Sequence, residues 1–289
     1  MPQPELQGSV NSHELSPEQN RVVYETEIFP INYADLHGVP NPSVHFFGGQ
    51  PGAGKSVAED RIITELESVD GKNSIAEISI DNYRPQHTAY SQLLATDEEN
   101  LGAYTNQDCW LWSERAKDYV LQLKPHVIRE GTLRNPDQTL TDVGSYLESG
   151  FRAELHIVAV HEFISRLRYL SRYIDEVEYY GGGRLVPRSL HDEAYQQLPE
   201  SVAAMTDARM FHKISIHNGN GHIIEEVELT DLDATRKTYM AVMSERDSGK
   251  MDKQALIRDI DQQLERAHLI GRPNIAEELQ VLRNEVVEA

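Results

Sequence analysis

Residues 49–56 read Gly49-Gln50-Pro51-Gly52-Ala53-Gly54-Lys55-Ser56, the complete G-x-x-x-x-G-K-[ST] pattern of a phosphate-binding loop. A strand-like run, residues 44–47, precedes the loop, and a helix-like run follows it. The glycines let consecutive backbone N–H groups turn toward phosphates, Lys55 reaches the β- and γ-phosphates, and the Ser56 hydroxyl can ligate Mg²⁺. The helix that follows directs its positive end at the same anion. We therefore expect all eight residues to bind a nucleotide, with Ser56 as the metal ligand.

The charge balance limits which partners the chain can have. Its 289 residues are 39% hydrophobic, which is typical of a soluble globular protein. The 47 acidic and 27 basic side chains give a net charge of −20, so the long-range field repels nucleic acids and anionic membranes. A phosphorylated ligand must then be attracted by a local basic pocket. We expect neither a nucleic-acid partner nor a membrane partner.

Cysteine and histidine usage bears on the compartment and on metals. The single cysteine, Cys109, cannot form an internal disulfide, as expected in a reducing compartment. The first 18 residues lack the basic and apolar regions of a signal peptide, and no run approaches the roughly 18 apolar residues of a membrane span. The 12 histidines are scattered, and His161-Glu162 is not completed to H-E-x-x-H. The sequence therefore predicts a cytoplasmic protein without a dedicated zinc site.

Strand-like and helix-like runs alternate from residue 43 onward, which predicts an α/β fold with a mostly parallel central sheet. The predicted strands are residues 44–47, 75–80, 127–129 and 154–160. The predicted helices are residues 56–67, 90–95, 109–123, 142–148 and 162–173. Residues 211–217 and 222–229 flank Asn218-Gly219-Asn220-Gly221 and predict a small β-hairpin.

The two ends of the chain differ from this middle part. Residues 1–43 form a lead-in that contains a short helix, residues 17–29. From about residue 230 the pattern is charged and helical, with helices at residues 252–268 and 274–287. We therefore predict a core over residues 1–230 and a helical C-terminal extension over residues 231–289. The extension is interpreted as a brace, a surface for a partner, or an inhibitory segment that occupies the nucleotide site.

Chemically reactive residues follow several of the predicted strands. Ligands of open parallel sheets bind beyond the carboxyl ends of the strands. The second strand is expected to end in Asp81, and the third in Glu130-Gly131-Thr132. Asp81 is interpreted as a general base toward an acceptor hydroxyl, as a magnesium ligand, or as a residue that only caps a turn. The residues alone do not separate these three roles.

Arginines complete many phosphoryl-transfer sites, because a planar guanidinium holds two phosphate oxygens at once. Arg172 follows the fourth strand in an arginine-rich helix, and Arg184 follows Gly181-Gly182-Gly183. Both are candidates for stabilising the migrating phosphoryl group. Arg172 could instead pair with a nearby acidic residue, and Arg184 could be a solvated loop residue.

Five motifs occur in the order and at the approximate spacing of one known family. They are residues 48–56, Ile80-Asp81-Asn82-Tyr83-Arg84-Pro85-Gln86-His87, Glu130-Gly131-Thr132, Ser171-Arg172-Tyr173, and Arg184-Leu185-Val186-Pro187 with His191-Asp192. This succession, from about residue 44 to residue 218, resembles the zeta toxins. Zeta toxins are the kinase components of bacterial epsilon/zeta toxin–antitoxin pairs.

The resemblance implies a P-loop kinase fold and an ATP-dependent activity. The acceptor it implies is the 3′-hydroxyl of the amino sugar in UDP-N-acetylglucosamine, whose phosphorylation blocks synthesis of the peptidoglycan precursor. By the same resemblance, Lys55 and Ser56 bind ATP and Mg²⁺, Asp81 is the general base, and Arg172 and Arg184 stabilise the transferring phosphoryl group. The resemblance thus favours the base among the three roles of Asp81.

The resemblance also implies an acceptor side and a partner. Glu114 and Thr132 would contact the sugar nucleotide, Glu130 would support the site from its strand, and Arg84 belongs to the substrate-binding set. A small epsilon-type antitoxin would cover the ATP site.

The sequence departs from the family pattern at three positions. Thr88 follows His87 where the family usually has proline, Ser79 stands where an aspartate is often found, and Asp142 aligns with a position that can carry a substrate-contacting threonine. An acidic Asp142 leaves another UDP-sugar or another nucleotide open as the acceptor. A nucleotide-dependent switch or ATPase, with Asp81 as a magnesium ligand, is the alternative from a different functional class, and a catalytically idle scaffold is a third interpretation.

Overall fold

The computed structural model describes residues 13–228, 230–247 and 251–289. The strands are β1 (Ser43–Gly48), β2 (Ile75–Ile78), β3 (His126–Gly131), β4 (Arg152–Val158), β5 (Lys213–His217) and β6 (Ile223–Glu228). The helices are α1 (Pro17–Val23), α2 (Phe29–Asn32), α3 (Lys55–Asp70), α4 (Ile80–Tyr83), α5 (Tyr90–Thr96), α6 (Leu101–Leu123), α7 (Pro136–Glu148), α8 (Glu162–Tyr180), α9 (Arg188–Asp207), α10 (Ala234–Glu245), α11 (Lys253–Leu269) and α12 (Pro273–Glu288). Residues 1–12 of the predicted lead-in and Leu229, the predicted last residue of the hairpin, lie outside the described residues.

The six strands form one sheet in the order β2-β3-β1-β4-β5-β6, and only the β5–β6 pair is antiparallel. This confirms the predicted α/β fold with a mostly parallel sheet. The predicted hairpin is formed by β5 and β6, and because β5 also pairs with β4, the hairpin lies at the edge of the sheet. The central strand β1 leads directly into the phosphate-binding loop.

The strand β1 is buried along its whole length, and its alternating side chains enter two cores. Phe46 packs in the larger core with Trp112 of α6 and Tyr146 of α7. Phe47 packs in a smaller core with Ala58 of α3. Helices therefore cover both faces of the sheet, as an all-buried parallel strand requires.

The second strand is shorter than predicted. It ends at Ile78, and Asp81 lies in the first turn of the short helix α4 instead of at a strand end. Ser79 keeps an extended backbone just before this turn. Asp and Asn favour the first turns of helices, because their oxygens and charge suit the exposed N–H groups there.

Several helices differ from their predicted extents, and others were not predicted. Helix α6 begins eight residues before the predicted start at residue 109. Helix α7 begins at Pro136, after an N-cap Asn135 whose side chain accepts the N–H of Gln138, a start signal that is present in the sequence. Helix α9 was not predicted, and Pro199 lies inside it.

The C-terminal helices α11 and α12 pack against each other and against α8. Their apolar side chains form a third core with α8, built around Leu170 and Ile174 of α8 and Ile260, Leu279 and Leu282 of the C-terminal pair. None of residues 231–289 that the structure describes lines the cavity beside the phosphate-binding loop. The position of α11 and α12 is therefore that of a brace behind α8, not of a segment inside the nucleotide site.

No helix within the described ranges combines the length and the apolar character that crossing a membrane requires.

The brace can be tested with a matched pair of leucines. Leu279 in α12 is fully buried, whereas Leu269 at the end of α11 is 86% exposed. We expect Leu279→Ala to lower the free energy of unfolding by about 2–5 kcal/mol, because it leaves a cavity. Leu269→Ala should change it by less than about 0.5 kcal/mol. Urea denaturation followed by circular dichroism measures both, and equal midpoints for Leu279→Ala and the wild type would contradict the packing described.

Candidate active site

The phosphate-binding loop runs from the end of β1 to the start of α3. Gly52 and Gly54 have φ angles of 77° and 102°, in the left-handed region that L side chains rarely adopt. A Cβ atom on Gly52 would lie 2.1 Å from the carbonyl oxygen of Ser165 in α8. Glycine is therefore required at this position both by conformation and by the close approach of α8.

Two further contacts bind the loop to its surroundings. The buried Gln50 side chain donates to the carbonyl of Val160, at 3.0 Å, and to the hydroxyl of Ser165, at 3.3 Å. Arg168 of α8 donates to the carbonyl of Ala53 at 3.3 Å. Gln50 thus holds the shape of the loop through its side chain, which the motif alone did not indicate.

Lys55 and Ser56 begin α3. The Lys55 ammonium donates to the Gly49 carbonyl at 3.1 Å and lies 3.4 Å from a carboxylate oxygen of Glu130 at the end of β3. Ser56 is exposed in the first turn of the helix. The Lys55 ammonium and the exposed Ser56 hydroxyl therefore lie next to each other at the positive end of α3.

A cavity of about 1210 Å³ opens beyond the carboxyl ends of β1, β2 and β3. It exceeds the 300–1,000 Å³ that is usual for small-molecule sites. Eleven of the residues predicted for the site line it: Pro51, Gly52, Lys55, Ser56, Asp81, Arg84, Glu114, Glu130, Thr132, Arg172 and Arg184. The other four, Gly49, Gln50, Ala53 and Gly54, form the loop without lining this cavity. The sequence-predicted residues are thus brought together at one place.

The cavity is locally basic although the protein is strongly acidic. Seven basic residues line it, namely Lys55, Arg84, Lys117, Arg129, Arg134, Arg172 and Arg184. Five acidic residues line it, namely Asp81, Glu114, Glu130, Asp142 and Glu176. The local excess of positive charge agrees with the basic pocket that the net charge of −20 led us to expect.

Asp81 is exposed to this cavity and is paired with two arginines. Arg184 contacts one of its carboxylate oxygens, and the Nε of Arg84 donates to the same oxygen at 2.9 Å. Burial acts to raise the pKa of Asp81, but the charges and hydrogen bonds of Arg184 and Arg84 outweigh it and lower the pKa to about 2. The carboxylate is therefore fully ionised near neutral pH.

The two arginines differ in their freedom. Arg84 is buried, and its Nη1 donates to the Gly102 carbonyl and the Thr105 hydroxyl, at 2.8 and 2.7 Å, while its Nη2 donates to the Asn106 side chain at 3.4 Å. Its guanidinium is thus fixed by α6 and orients Asp81. Arg184 follows the three glycines that end α8, and its side chain is partly exposed. Of these two arginines, Arg184 is the one that a ligand could bind in place of Asp81.

The three arginines of α8 have separate roles. Arg166 is fully buried and pairs with Glu285 of the C-terminal brace. Arg168 contacts the phosphate-binding loop, as described above, and Arg172 lines the cavity with Glu176 at 3.7 Å. One helix therefore connects the brace, the loop and the cavity.

The part of the cavity lined by Glu114 and Asp142 contains a charge cluster that the sequence did not reveal. Arg129 of β3 donates to Asp142 at 2.7 and 3.1 Å and to the Ser113 hydroxyl at 2.9 Å. Lys117 lies 2.6 Å from Glu114 and 3.2 Å from Asp142. Asp142 therefore does not present an uncompensated negative charge. The i, i+3 spacing of Glu114 and Lys117 was the available signal.

Thr132 and Glu130 lie at the same end of β3. The Thr132 hydroxyl accepts from Arg134 at 3.2 Å, and the second carboxylate oxygen of Glu130 accepts from the Ser79 hydroxyl at 3.5 Å. Ser79 thus contacts the carboxylate that faces Lys55. Ser79 is thereby connected, through Glu130, to Lys55 of the phosphate-binding loop.

Glu59 is a buried carboxyl group that the sequence analysis did not single out. It lies one turn after Lys55 in α3, and burial raises its pKa to about 8, with the charge of Glu130 adding to the effect. Glu59 is therefore mostly protonated at neutral pH. Its neutral form avoids a further negative charge behind the phosphate-binding loop.

A family model for zeta toxins matches residues 33–228. The chain belongs to the zeta toxin family. This confirms the resemblance carried by the five motifs, and the match extends through the whole sheet from before β1 to the end of β6. Toxin zeta of Enterococcus hirae is 22% identical over 230 residues, which cover 78% of this chain and 77% of that protein.

Solved structures agree with the zeta toxin fold. A chain in the structure of the PezAT chromosomal toxin–antitoxin system of Streptococcus pneumoniae has a TM-score of 0.71 at 19% identity, covering 89% of this chain and 98% of that one. A chain of the AvrRxo1-ORF1:AvrRxo1-ORF2 complex with ATP has a TM-score of 0.51 at 13% identity, covering 85% and 76%. At these identities the likenesses establish the fold.

The pairing of Asp81 predicts how its carboxylate titrates. Because its pKa in the folded protein lies below its ordinary value, the pairing stabilises the fold above about pH 4, and this contribution is lost as the pH falls toward 2. Arg184→Gln should raise the pKa of Asp81 toward its ordinary value, since it removes the nearer positive charge. NMR titration of the labelled carboxyl carbon measures the shift. Arg134→Gln, whose arginine pairs with Glu193, is the control and should leave it unchanged. An unchanged Asp81 titration in Arg184→Gln would contradict the pairing.

Proposed function

We propose that this zeta toxin family member is an ATP-dependent kinase that phosphorylates the 3′-hydroxyl of the amino sugar of UDP-N-acetylglucosamine or a related UDP-sugar. The observation that carries the proposal is that Asp81 lines the same cavity as Lys55 and Ser56. A general base, a phosphate-binding cation and a metal-binding hydroxyl are the parts that phosphoryl transfer to an alcohol requires.

The residues of the loop suit ATP and Mg²⁺. The positive φ angles of Gly52 and Gly54 turn the backbone as the phosphate-binding pattern demands, and α3 begins at Lys55. Lys55 would hold the β- and γ-phosphates, and Ser56 would ligate the ion. Bound Mg²⁺ supplies neutralisation of the charge that develops on the transferred phosphoryl group.

Asp81 would accept the proton of the acceptor hydroxyl. A carboxylate with a pKa of about 2 is a weak base, so its pairing with Arg184 must loosen before it can act. We propose that Arg184 leaves Asp81 for the γ-phosphate when ATP binds. Arg84, fixed by α6, would keep the carboxylate oriented meanwhile, and Arg172 would add a second positive charge beside the phosphoryl group.

The acceptor would occupy the opposite end of the cavity, between α6, β3 and α7. Glu114 and Thr132 line this end and offer hydrogen-bond acceptors and a hydroxyl to a sugar. Because Arg129 and Lys117 neutralise Asp142, this carboxylate does not repel an acceptor that carries a pyrophosphate. The arrangement therefore supports a UDP-sugar in spite of the threonine-to-aspartate departure.

A nucleotide-dependent ATPase or switch is the second candidate function. The observation in its favour is that an ionised Asp81 and the Ser56 hydroxyl line one cavity, so both could ligate a single Mg²⁺. In that case no acceptor would gain phosphate.

A panel of acceptors separates the two functions. With labelled ATP and Mg²⁺, we expect one UDP-sugar among UDP-sugars, plain sugars, NAD and nucleosides to gain a phosphate, identified by mass spectrometry. Asp81→Asn should reduce the rate by about 10²–10⁴-fold, the usual contribution of a general base. Asp60→Asn, at an exposed position of α3 outside the cavity, is the matched control and should keep the wild-type rate. ADP release that is indifferent to every acceptor would instead support the ATPase.

We also propose that a small antitoxin protein covers the ATP site, since the PezAT relative belongs to a toxin–antitoxin system. Expression of the free protein in bacteria should then arrest growth, and Lys55→Ala should relieve the arrest because it removes the phosphate-binding cation. The measurement is growth after induction, with the soluble protein of both variants quantified by immunoblot. Normal growth with abundant soluble wild-type protein would contradict toxicity.

A further inference from the structure

A continuous chain of hydrogen bonds crosses the sheet on the side covered by α3. It runs from the Asp70 carboxylate to His126 (3.0 Å), Ser43 (2.7 Å), His45 (2.8 Å), His156 (3.0 Å), His217 (3.0 Å) and the Gly221 carbonyl (3.3 Å). We call this set of residues the histidine chain. The Asp70 carboxylate and the Gly221 carbonyl at its two ends can only accept hydrogen bonds, so the residues between them must supply one hydrogen for every link. There are six links, but four neutral imidazoles and one hydroxyl supply only five hydrogens.

The Asp70 end fixes the direction of the first links. The backbone N–H of Ser43 donates to Nδ1 of His126 at 3.3 Å, so this nitrogen carries a lone pair and Nε2 donates to Asp70. The Ser43 hydroxyl then donates to His126, and Nε2 of His45 donates to the Ser43 oxygen. Nδ1 of His45 is left with a lone pair that points at His156.

The Gly221 end fixes the remaining links in the opposite sense. A carbonyl can only accept, so Nδ1 of His217 donates to Gly221 and its Nε2 carries a lone pair. Nδ1 of His156 therefore donates to His217, and Nε2 of His156 is left with a lone pair. Two lone pairs thus face each other across the 3.0 Å between His45 Nδ1 and His156 Nε2. A cation bound by both nitrogens, off the line that joins them, resolves the conflict.

A carboxylate lies beside this one link. Oε2 of Glu154 is 3.8 Å from Nδ1 of His45 and 4.0 Å from Nε2 of His156. These three residues are a group of histidine and carboxylate ligands whose donor atoms lie close enough together to share one metal ion. We propose that His45, Glu154 and His156 bind a divalent transition-metal cation of the zinc type.

The geometry suits such an ion. At a tetrahedral centre, metal–nitrogen bonds of about 2.0–2.1 Å separate the ligand atoms by about 3.3–3.4 Å. The three separations observed among the ligand atoms of His45, His156 and Glu154 are 3.0, 3.8 and 4.0 Å, a range that includes this value. The other ring nitrogens of both ligands already donate, His45 to Ser43 and His156 to His217. Metal-bound histidines characteristically have such outer partners. His45 and His156 are buried, and Glu154 is partly accessible from the start of β4.

Two cations share the Glu154 carboxylate. Lys213 lies 3.6 Å from its Oε2, and Arg152 lies 3.2 Å from its Oε1. Lys213 also pairs with Glu226 at 3.0 Å. If Oε2 of Glu154 binds a metal ion, Lys213 therefore keeps its ion pair with Glu226. Sequence spacing did not reveal the site, because its ligands lie on two neighbouring strands and the two histidines are 111 residues apart.

The test is metal binding by the full chain. Protein stripped with a chelator is titrated with Zn²⁺ against a chromophoric competitor, and metal content after gel filtration is measured by mass spectrometry. We expect one zinc ion per chain, with binding weakened at least about tenfold in Glu154→Gln. His268→Asn, at an exposed histidine of α11, is the control for surface binding and should leave affinity unchanged.

A second measurement on the wild-type protein does not depend on the folding of any variant. Co²⁺ in the site should give the visible absorption of a tetrahedral centre, and excess Zn²⁺ should abolish it. The proposal is overturned if the wild type retains no zinc, if Glu154→Gln retains it equally well, or if NMR shows that a proton occupies the His45–His156 link in the presence of Zn²⁺. None of these readouts depends on kinase activity.

Discussion

The close approach of Gly52 to Ser165 is the constraint on which the site depends. It leaves no room for a side chain, so the phosphate-binding loop and α8 must adopt their positions together. Gln50 and Arg168 strengthen the same junction through hydrogen bonds to both sides of it. Because α8 also carries Arg172 into the cavity and Arg166 to Glu285, the loop is mechanically linked to the C-terminal helices. The brace thus positions the site from behind.

Charge compensation is the second organising feature. The chain carries a net charge of −20, yet the carboxylates at its cavity are paired: Asp81 with Arg84 and Arg184, Glu130 with Lys55, and Asp142 with Arg129 and Lys117. Because of these pairs, the carboxylates of the cavity do not repel a phosphate group. In the mechanism proposed above, an incoming phosphate competes with Asp81 for Arg184. The partly exposed Arg184 can respond to such competition, whereas the buried Arg84 is held by Gly102 and Thr105.

The fold and the composition of the cavity were largely predictable, because strand alternation and the phosphate-binding pattern are local signals. The position of Asp81 was less predictable, since its helical turn after Ser79 interrupts what the sequence pattern predicts as one strand over residues 75–80. Arg129, Arg168 and Glu59 could not be assigned, because their roles arise from partners that are distant in sequence or hidden by burial. The histidine chain was the least predictable feature. Its histidines lie on four different strands, and only the folded sheet brings them within hydrogen-bonding distance of one another.

The most direct measurement is a crystal structure of the protein with Mg²⁺, a non-hydrolysable ATP analogue and UDP-N-acetylglucosamine. We expect a carboxylate oxygen of Asp81 to lie about 2.6–3.2 Å from the sugar 3′-hydroxyl, and Arg184 to have moved to the γ-phosphate. Asp81 coordinating the Mg²⁺ ion, or still paired with Arg184 and out of reach of any hydroxyl, would contradict the proposed role of Asp81 as general base.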